Sequence, residues 1–168
     1  MEIILSKKDI HTLSAVEISG DVTAGRTSAV DVTEAILSRV SEIDPLINAY
    51  TVVDAEGALD AARNVDAEIA KGNTNLPLAG VPFSVKDLIP TKGVETAYGS
   101  HAMAGNIPDT DVTPIVQLKQ AGAILIGKTT TPEFGCGVIT GSPRHGYTRN
   151  PWNLERTSGG SSGGAAAA

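Results

Sequence analysis

Two stretches of this chain carry side chains whose types and spacing could do chemistry. The first is Thr157-Ser158-Gly159-Gly160-Ser161-Ser162-Gly163-Gly164, in which two Gly-Gly pairs bracket two serine hydroxyls. Glycine reaches backbone angles closed to other residues, so such a loop brings amides and hydroxyls unusually close to a ligand. The next four residues are all alanine, the best helix former, and the loop is expected to feed a helix N-terminus. Taken alone, the stretch also reads as a flexible Gly/Ser linker. The second stretch, residues 80–100, weighs against that reading because it supplies a partner for the hydroxyls.

Within it, Leu76-Pro77-Leu78-Ala79-Gly80-Val81-Pro82-Phe83-Ser84-Val85-Lys86-Asp87-Leu88-Ile89-Pro90 reads as an apolar strand framed by prolines, with a Lys-Asp pair inside. Neighbouring strand residues point to opposite faces, so Lys86 and Asp87 should diverge and one of them should face the covered side. A buried ammonium is costly unless paired or deprotonated, and a lysine that loses its proton on burial can serve as a general base. A lysine that snorkels to solvent, or meets an acid elsewhere, fits the strand equally well.

Other reactive residues lead less far. His145 lies in the polar, Gly- and Pro-rich stretch of residues 129–153, whose length suits a functional loop. No Ser-His-Asp order supports His145 as a base, and it is expected to be a surface hydrogen-bonder. His11 and His101 lie far away in sequence, no metal-ligand spacing emerges, and a metallohydrolase is excluded. Cys136, the single cysteine, excludes an internal disulfide and is expected to be a small buried thiol. Residues 122–129 match the spacing of a phosphate-binding loop, yet the four residues between the glycines are Ala-Ile-Leu-Ile, which form a strand and not a cradle of amides.

The composition frames these candidates. At 168 residues a single domain with a real core is expected. Aromatics are only 4%, so the core must be aliphatic and alanine-rich, while 18 glycines point to a loop-rich site. A net charge of −6 without a basic cluster argues against nucleic acid and anionic membranes as partners. No signal peptide opens the chain and no apolar run approaches the ~20 residues that span a bilayer, so a cytoplasmic protein is expected.

The elements that must position the candidates follow from periodicity. Ile10, Leu13, Val16 and Ile18 form a short amphipathic pattern ending at Gly20. Ser28 is an N-cap, with Asp31 three residues on, for a helix whose stripe of Val32, Ile36, Val40 and Ile43 stops at Asp44-Pro45. Residues 46–53 read as a short strand. A second helix is expected over about 54–70, with Ala58, Ala62, Val65 and Ile69 on one face and Gly72 as C-cap. A third is expected over 114–120, stopped by Gly122, before the apolar strand 123–126, whose end at Lys128-Thr129 opens onto a site. This alternation predicts an α/β sheet with crossover helices.

Taken together, Gly80-Val81-Pro82-Phe83-Ser84-Val85-Lys86-Asp87, Thr96-Ala97-Tyr98-Gly99-Ser100, Gly127-Lys128-Thr129, Asn150-Pro151-Trp152-Asn153 and Gly159-Gly160-Ser161-Ser162-Gly163-Gly164 resemble the amidase signature family. They occur in that family's order, and the resemblance runs over nearly the whole chain. It implies an α/β fold with a mixed sheet surrounded by helices, and a Ser-cis-Ser-Lys hydrolase of carboxylic, non-peptide amides that needs neither cofactor nor metal. Lys86 matches the catalytic lysine and Ser161 the bridging serine, whose peptide bond from Gly160 is expected to be cis. Ser162 is expected to support the lysine, and Gly135, Cys136 and Gly137 match the loop that lines the acyl pocket. The family's nucleophilic serine lies further on, in another Gly-Gly-Ser turn beyond Ala168. Residues 1–168 are therefore expected to be the N-terminal part of one amidase signature domain, inactive alone. The implied partners are a small-molecule amide and either a complementary C-terminal polypeptide or a homo-oligomer. The alternative is a non-catalytic short chain that binds an amide-like ligand or a protein.

Overall fold

The computed structural model describes residues 10–168. The reading that no signal peptide opens the chain therefore lies outside the described residues. The fold is mixed α/β, as expected. Its elements fall into two compact units, and strands β2 and β3 pass from the first into the second.

The first unit comprises residues 10–39, Ala55–Phe83 and Val116–Ile126. Helix α1 (Ala15–Thr23) begins at a capping box in which Ser14 and Glu17 satisfy each other's orphan amides. Gly20 lies inside α1, which runs on to Thr23, and Val16 is 83% exposed; only Ile18 and Val22 of its residues are buried. Of the stripe expected there, Ile10 and Ile18 are buried, Leu13 is half-buried and Val16 is exposed. Helix α2 (Ala29–Ile47) starts where Asp31 N donates to Ser28 Oγ at 2.9 Å, as the sequence suggested. A second cap was not legible: the Asp66 carboxylate of α3 (Ala55–Ala70) accepts from the amides of Ala29 and Val30 at 2.7 and 3.1 Å. Ala58, Ala62 and Val65 of α3 are buried as read, and Gly72 takes φ +84° after its last turn. Gly80 sits so near α1 and α2 that a Cβ there would lie 2.9 Å from Val22 and 3.2 Å from Ala29.

The second unit comprises Val40–Asp54, Ser84–Ile115 and Gly127–Ala168. Here α2 continues through Pro45 to Ile47, past the predicted stop. The Asp44 carboxylate accepts from Ala49 N at 2.7 Å and Tyr50 N at 3.1 Å, so it caps the chain beyond the proline. Residues 46–53 accordingly split into a helix end and strand β1 (Tyr50–Val53). The expected strand 76–90 shrinks to β2 (Pro82–Lys86), because turns occupy the chain on either side. Helix α4 (Thr113–Gln120) leads into β3 (Ile124–Thr129), whose six residues are all buried.

These strands form a sheet of order β1-β3-β2. β1 and β3 are antiparallel, with Tyr50 opposite Thr129 and Val53 opposite Gly127. The bonds Ile124 N to Val81 O and Asp87 N to Thr129 O advance together along both chains, so β2 and β3 run parallel. The sheet is mixed. Residues 122–129 are thus β-strand across most of their length, and the phosphate-loop spacing is incidental. A Cβ at Gly127 would strike Val52 O, which shows how closely β1 is drawn onto β3. Two ribbons follow, β4 (Gly141–Ser142) with β5 (Gly146–Tyr147), and β6 (Arg149–Asn150) with β7 (Asn153–Thr157). Helix α5 (Gly163–Ala167) ends the chain, starting at the second Gly-Gly pair.

Candidate active site

β2 delivers Lys86 at its C-terminal end. Val85 and Asp87 are buried while Lys86 between them is half-buried, so strand alternation sends the carboxylate to the covered face and the amine to the other. The sequence left that choice open.

The turn between β7 and α5 meets the amine. Lys86 Nζ donates to Ser161 Oγ at 2.8 Å and to Ser162 Oγ at 3.0 Å. These three side chains, 75 and 76 residues apart in sequence, are the ones singled out as base, bridge and support. The peptide bond between Gly160 and Ser161 is cis. Burial pushes the Lys86 pKa below the ordinary lysine value of 10.5, and that desolvation is the cause of its shift.

Close packing fixes the turn. Thr140 N donates to Gly159 O at 2.8 Å, and Gly163 N donates to Thr140 Oγ1 at 2.9 Å, so one buried threonine holds both sides of the serine pair. A Cβ at Gly164 would run into Thr130 N and Thr130 Oγ1 and would lie 2.7 Å from Ala49 O. The first turn of α5 can rest on these backbones only because it is glycine. Ser158 Oγ is buried with no hydrogen-bond partner.

Gly135, Cys136 and Gly137 occupy the turn after β3. A Cβ at Gly135 would lie 2.6 Å from Leu88 Cδ1, and one at Gly137 would lie 3.2 Å from Pro132. Phe134 N donates to Tyr98 O at 2.8 Å, and the two rings stack with centroids 6.3 Å apart. The turn is thereby joined to Thr96-Ala97-Tyr98-Gly99-Ser100. Cys136 is exposed, contrary to the expectation of a buried thiol, because this glycine-flanked turn stands out from the strand core. His145 is half-buried, with its backbone carbonyl accepting from Asn48 Nδ2 at 2.7 Å and its Nε2 buried without a partner. It is no surface hydrogen-bonder, and burial, together with Arg144 beside it, lowers its pKa.

Sequence reasoning missed one cluster. Lys128 was expected where β3 opens onto a site; it is instead fully buried. Its Nζ donates to Ile89 O, to Thr91 Oγ1 at 2.9 Å and to Thr96 Oγ1 at 3.0 Å. Asp87, 1% exposed, accepts from Ala97 N at 2.9 Å and Gly99 N at 3.0 Å. The run Thr129-Thr130-Thr131 directly after Lys128 is the one local hint in the sequence, and it does not show that Thr91 and Thr96, 37 and 32 residues away, supply the oxygens. Among the described residues no group of three His, Cys, Asp or Glu side chains gathers as a metal site would require.

The amidase family model matches residues 31–168. The chain belongs to the amidase signature family. It is 48% identical over 160 residues to a glutamyl-tRNA(Gln) amidotransferase subunit of Salinispora arenicola, covering 95% of this chain and 33% of that protein. Among solved structures, a bacterial aryl acylamidase of the amidase signature family superposes with a TM-score of 0.88 at 32% identity, over 92% of this chain and 32% of that one. A 6-aminohexanoate cyclic dimer hydrolase superposes with a TM-score of 0.83 at 33% identity, over 92% and 31% respectively. The chain spans about a third of the length of these relatives.

Proposed function

We propose that residues 1–168 are the N-terminal part of an amidase signature domain that hydrolyses carboxylic, non-peptide amides. In this reading Lys86 is the general base and Ser161 the proton relay for a nucleophilic serine supplied by polypeptide beyond Ala168. The observation that carries it is the 2.8 Å contact between Lys86 Nζ and Ser161 Oγ on an amine whose pKa burial lowers.

A serine hydroxyl is a weak nucleophile until a base takes its proton. As a neutral amine, Lys86 keeps two N–H donors and one lone pair. It can donate to Ser162 at 3.0 Å while its lone pair accepts the Ser161 proton along the 2.8 Å contact. Ser161 then takes the proton of the nucleophile, whose oxygen attacks the amide carbonyl. The proton returns along the same path to the leaving amine, and water repeats the cycle on the acyl-enzyme. Gly135, Cys136 and Gly137 are assigned to the wall of the acyl pocket, and Ser162 to holding the amine.

Hydrolysis of a simple aryl amide by the full-length protein tests the reading. Lys86→Ala and Ser161→Ala should each abolish it, as removal of a member of such a unit removes most of the rate advantage. Full activity in either variant would overturn the assignment. A second reading draws on the 48% identity to one component of an amidotransferase: the whole protein would then work with partner polypeptides. Co-purification of the full-length protein with stoichiometric partners would favour it, and a monodisperse, active single chain would count against it.

A further inference from the structure

Lys128 and Asp87 are buried, ionisable and unused by the proposed proton path. From the geometry we infer that they form one buried clamp that positions Lys86 and the Tyr98–Phe134 turn for the reaction; this rests on the reading of Lys86 as base. Asp87 is the next residue in the chain after Lys86, and its backbone amide donates to Thr129 O at 2.9 Å. Its carboxylate gathers the amides of Ala97 and Gly99, which fold the chain back over the end of β2. Lys128 holds the intervening loop from the other side through Ile89 O, Thr91 Oγ1 and Thr96 Oγ1. Every N–H of its ammonium has an oxygen, and Asp87 after β2 and Asp111 before α4 favour its charge against the larger cost of burial.

The clamp reaches the acyl side as well. Tyr98, between the two amides that Asp87 holds, has φ +56° and accepts from Phe134 N, next to the Gly135–Gly137 segment. Gly99 follows with φ +65°, and a Cβ there would lie 2.9 Å from Thr131 O, so the turn is pressed against the chain that leaves β3. Releasing either charge therefore frees the Lys86 backbone and the 96–100 turn together. Lys128 and Asp87 are positioning residues: they act through Lys86 and not on the amide.

The test is carried out in the full-length protein with an aryl amide. Lys128→Met and Asp87→Asn are expected to lower kcat by about 100-fold, the cost of a displacement on the order of 1 Å, with little change in KM. The acid limb of kcat/KM should also move to higher pH, since a loosened Lys86, hydrogen-bonded among the described residues to Ser161 and Ser162, regains solvent and holds its proton more tightly. The double variant should be no worse than Lys128→Met alone, because the two act as a unit. Should Lys128→Met fail to fold, Thr96→Val, which removes one acceptor at nearly constant volume, should shift the same limb by less. Folded variants with the wild-type acid limb and kcat, alongside an inactive Lys86→Ala, would overturn the clamp and leave the base assignment standing. An active Lys86→Ala would remove the reading on which the clamp depends.

Discussion

An amine can relay protons at ordinary pH only if its surroundings penalise the ammonium. Lys86 meets that condition through partial burial and two neutral hydroxyl partners, with no carboxylate among the causes of its shift. The sign of the pH dependence follows. Lowering the pKa enlarges the neutral fraction below 10.5, so kcat/KM of the full-length protein should rise with pH and level off at a value under 10.5. Lys86→Arg, charged at every accessible pH, should be inactive throughout. A rate that is flat or falling over the same range would contradict the role. The pairing of Lys86 with Ser161 and Ser162 was legible because motif order placed these residues together. Which of Lys86 and Asp87 faces inward was not, since alternation states only that they differ. The fate of Cys136 was not legible either, because a thiol's burial depends on where its turn is anchored, here on Leu88 and Pro132.

The turn between β7 and α5 works because glycine lets a helix begin directly on neighbouring backbone. Gly164→Ala places a methyl against Thr130 and Ala49 and should push α5 outward, carrying Ser161 away from Lys86. Overpacking of this kind costs about 1–3 kcal/mol, and the full-length variant should lose both thermal stability and most of its aryl amide hydrolysis. Unchanged melting and unchanged turnover would show that the close approach has no such function. Helix periods were readable along α2 and α3, where burial follows the 3.6-residue repeat, while α4 was placed by Pro114 and Gly122. The end of α2 was not, because Asp44 caps amides beyond Pro45 and overrides the proline's local preference. Strand β2 was overestimated for a related reason: an apolar run framed by prolines does not reveal where its turns begin.

At the scale of the whole chain, two ionisable groups share the interior of the second unit. Lys128 has its pKa lowered to about 8, with burial as the first cause and Asp87 and Asp111 opposing it. Between about 8 and 10.5 the unfolded chain holds this proton while the folded chain has released it, so stability should rise with pH across that window. Chemical denaturation at about pH 8 and about pH 10 should show the rise, and Lys128→Met should flatten it; an equal slope in both proteins would place the titrating group elsewhere. Buried polar residues of this kind are the least readable from sequence, since Gly127-Lys128-Thr129 offers the same letters whether the lysine is buried or not. The central claim remains the state of the amine at position 86. Titration of ¹⁵N-labelled lysine side chains by NMR, with the Lys86 signal identified by its loss in Lys86→Arg, measures it directly. A midpoint below 10.5 is the predicted result, and a midpoint at or above 10.5 would contradict the account.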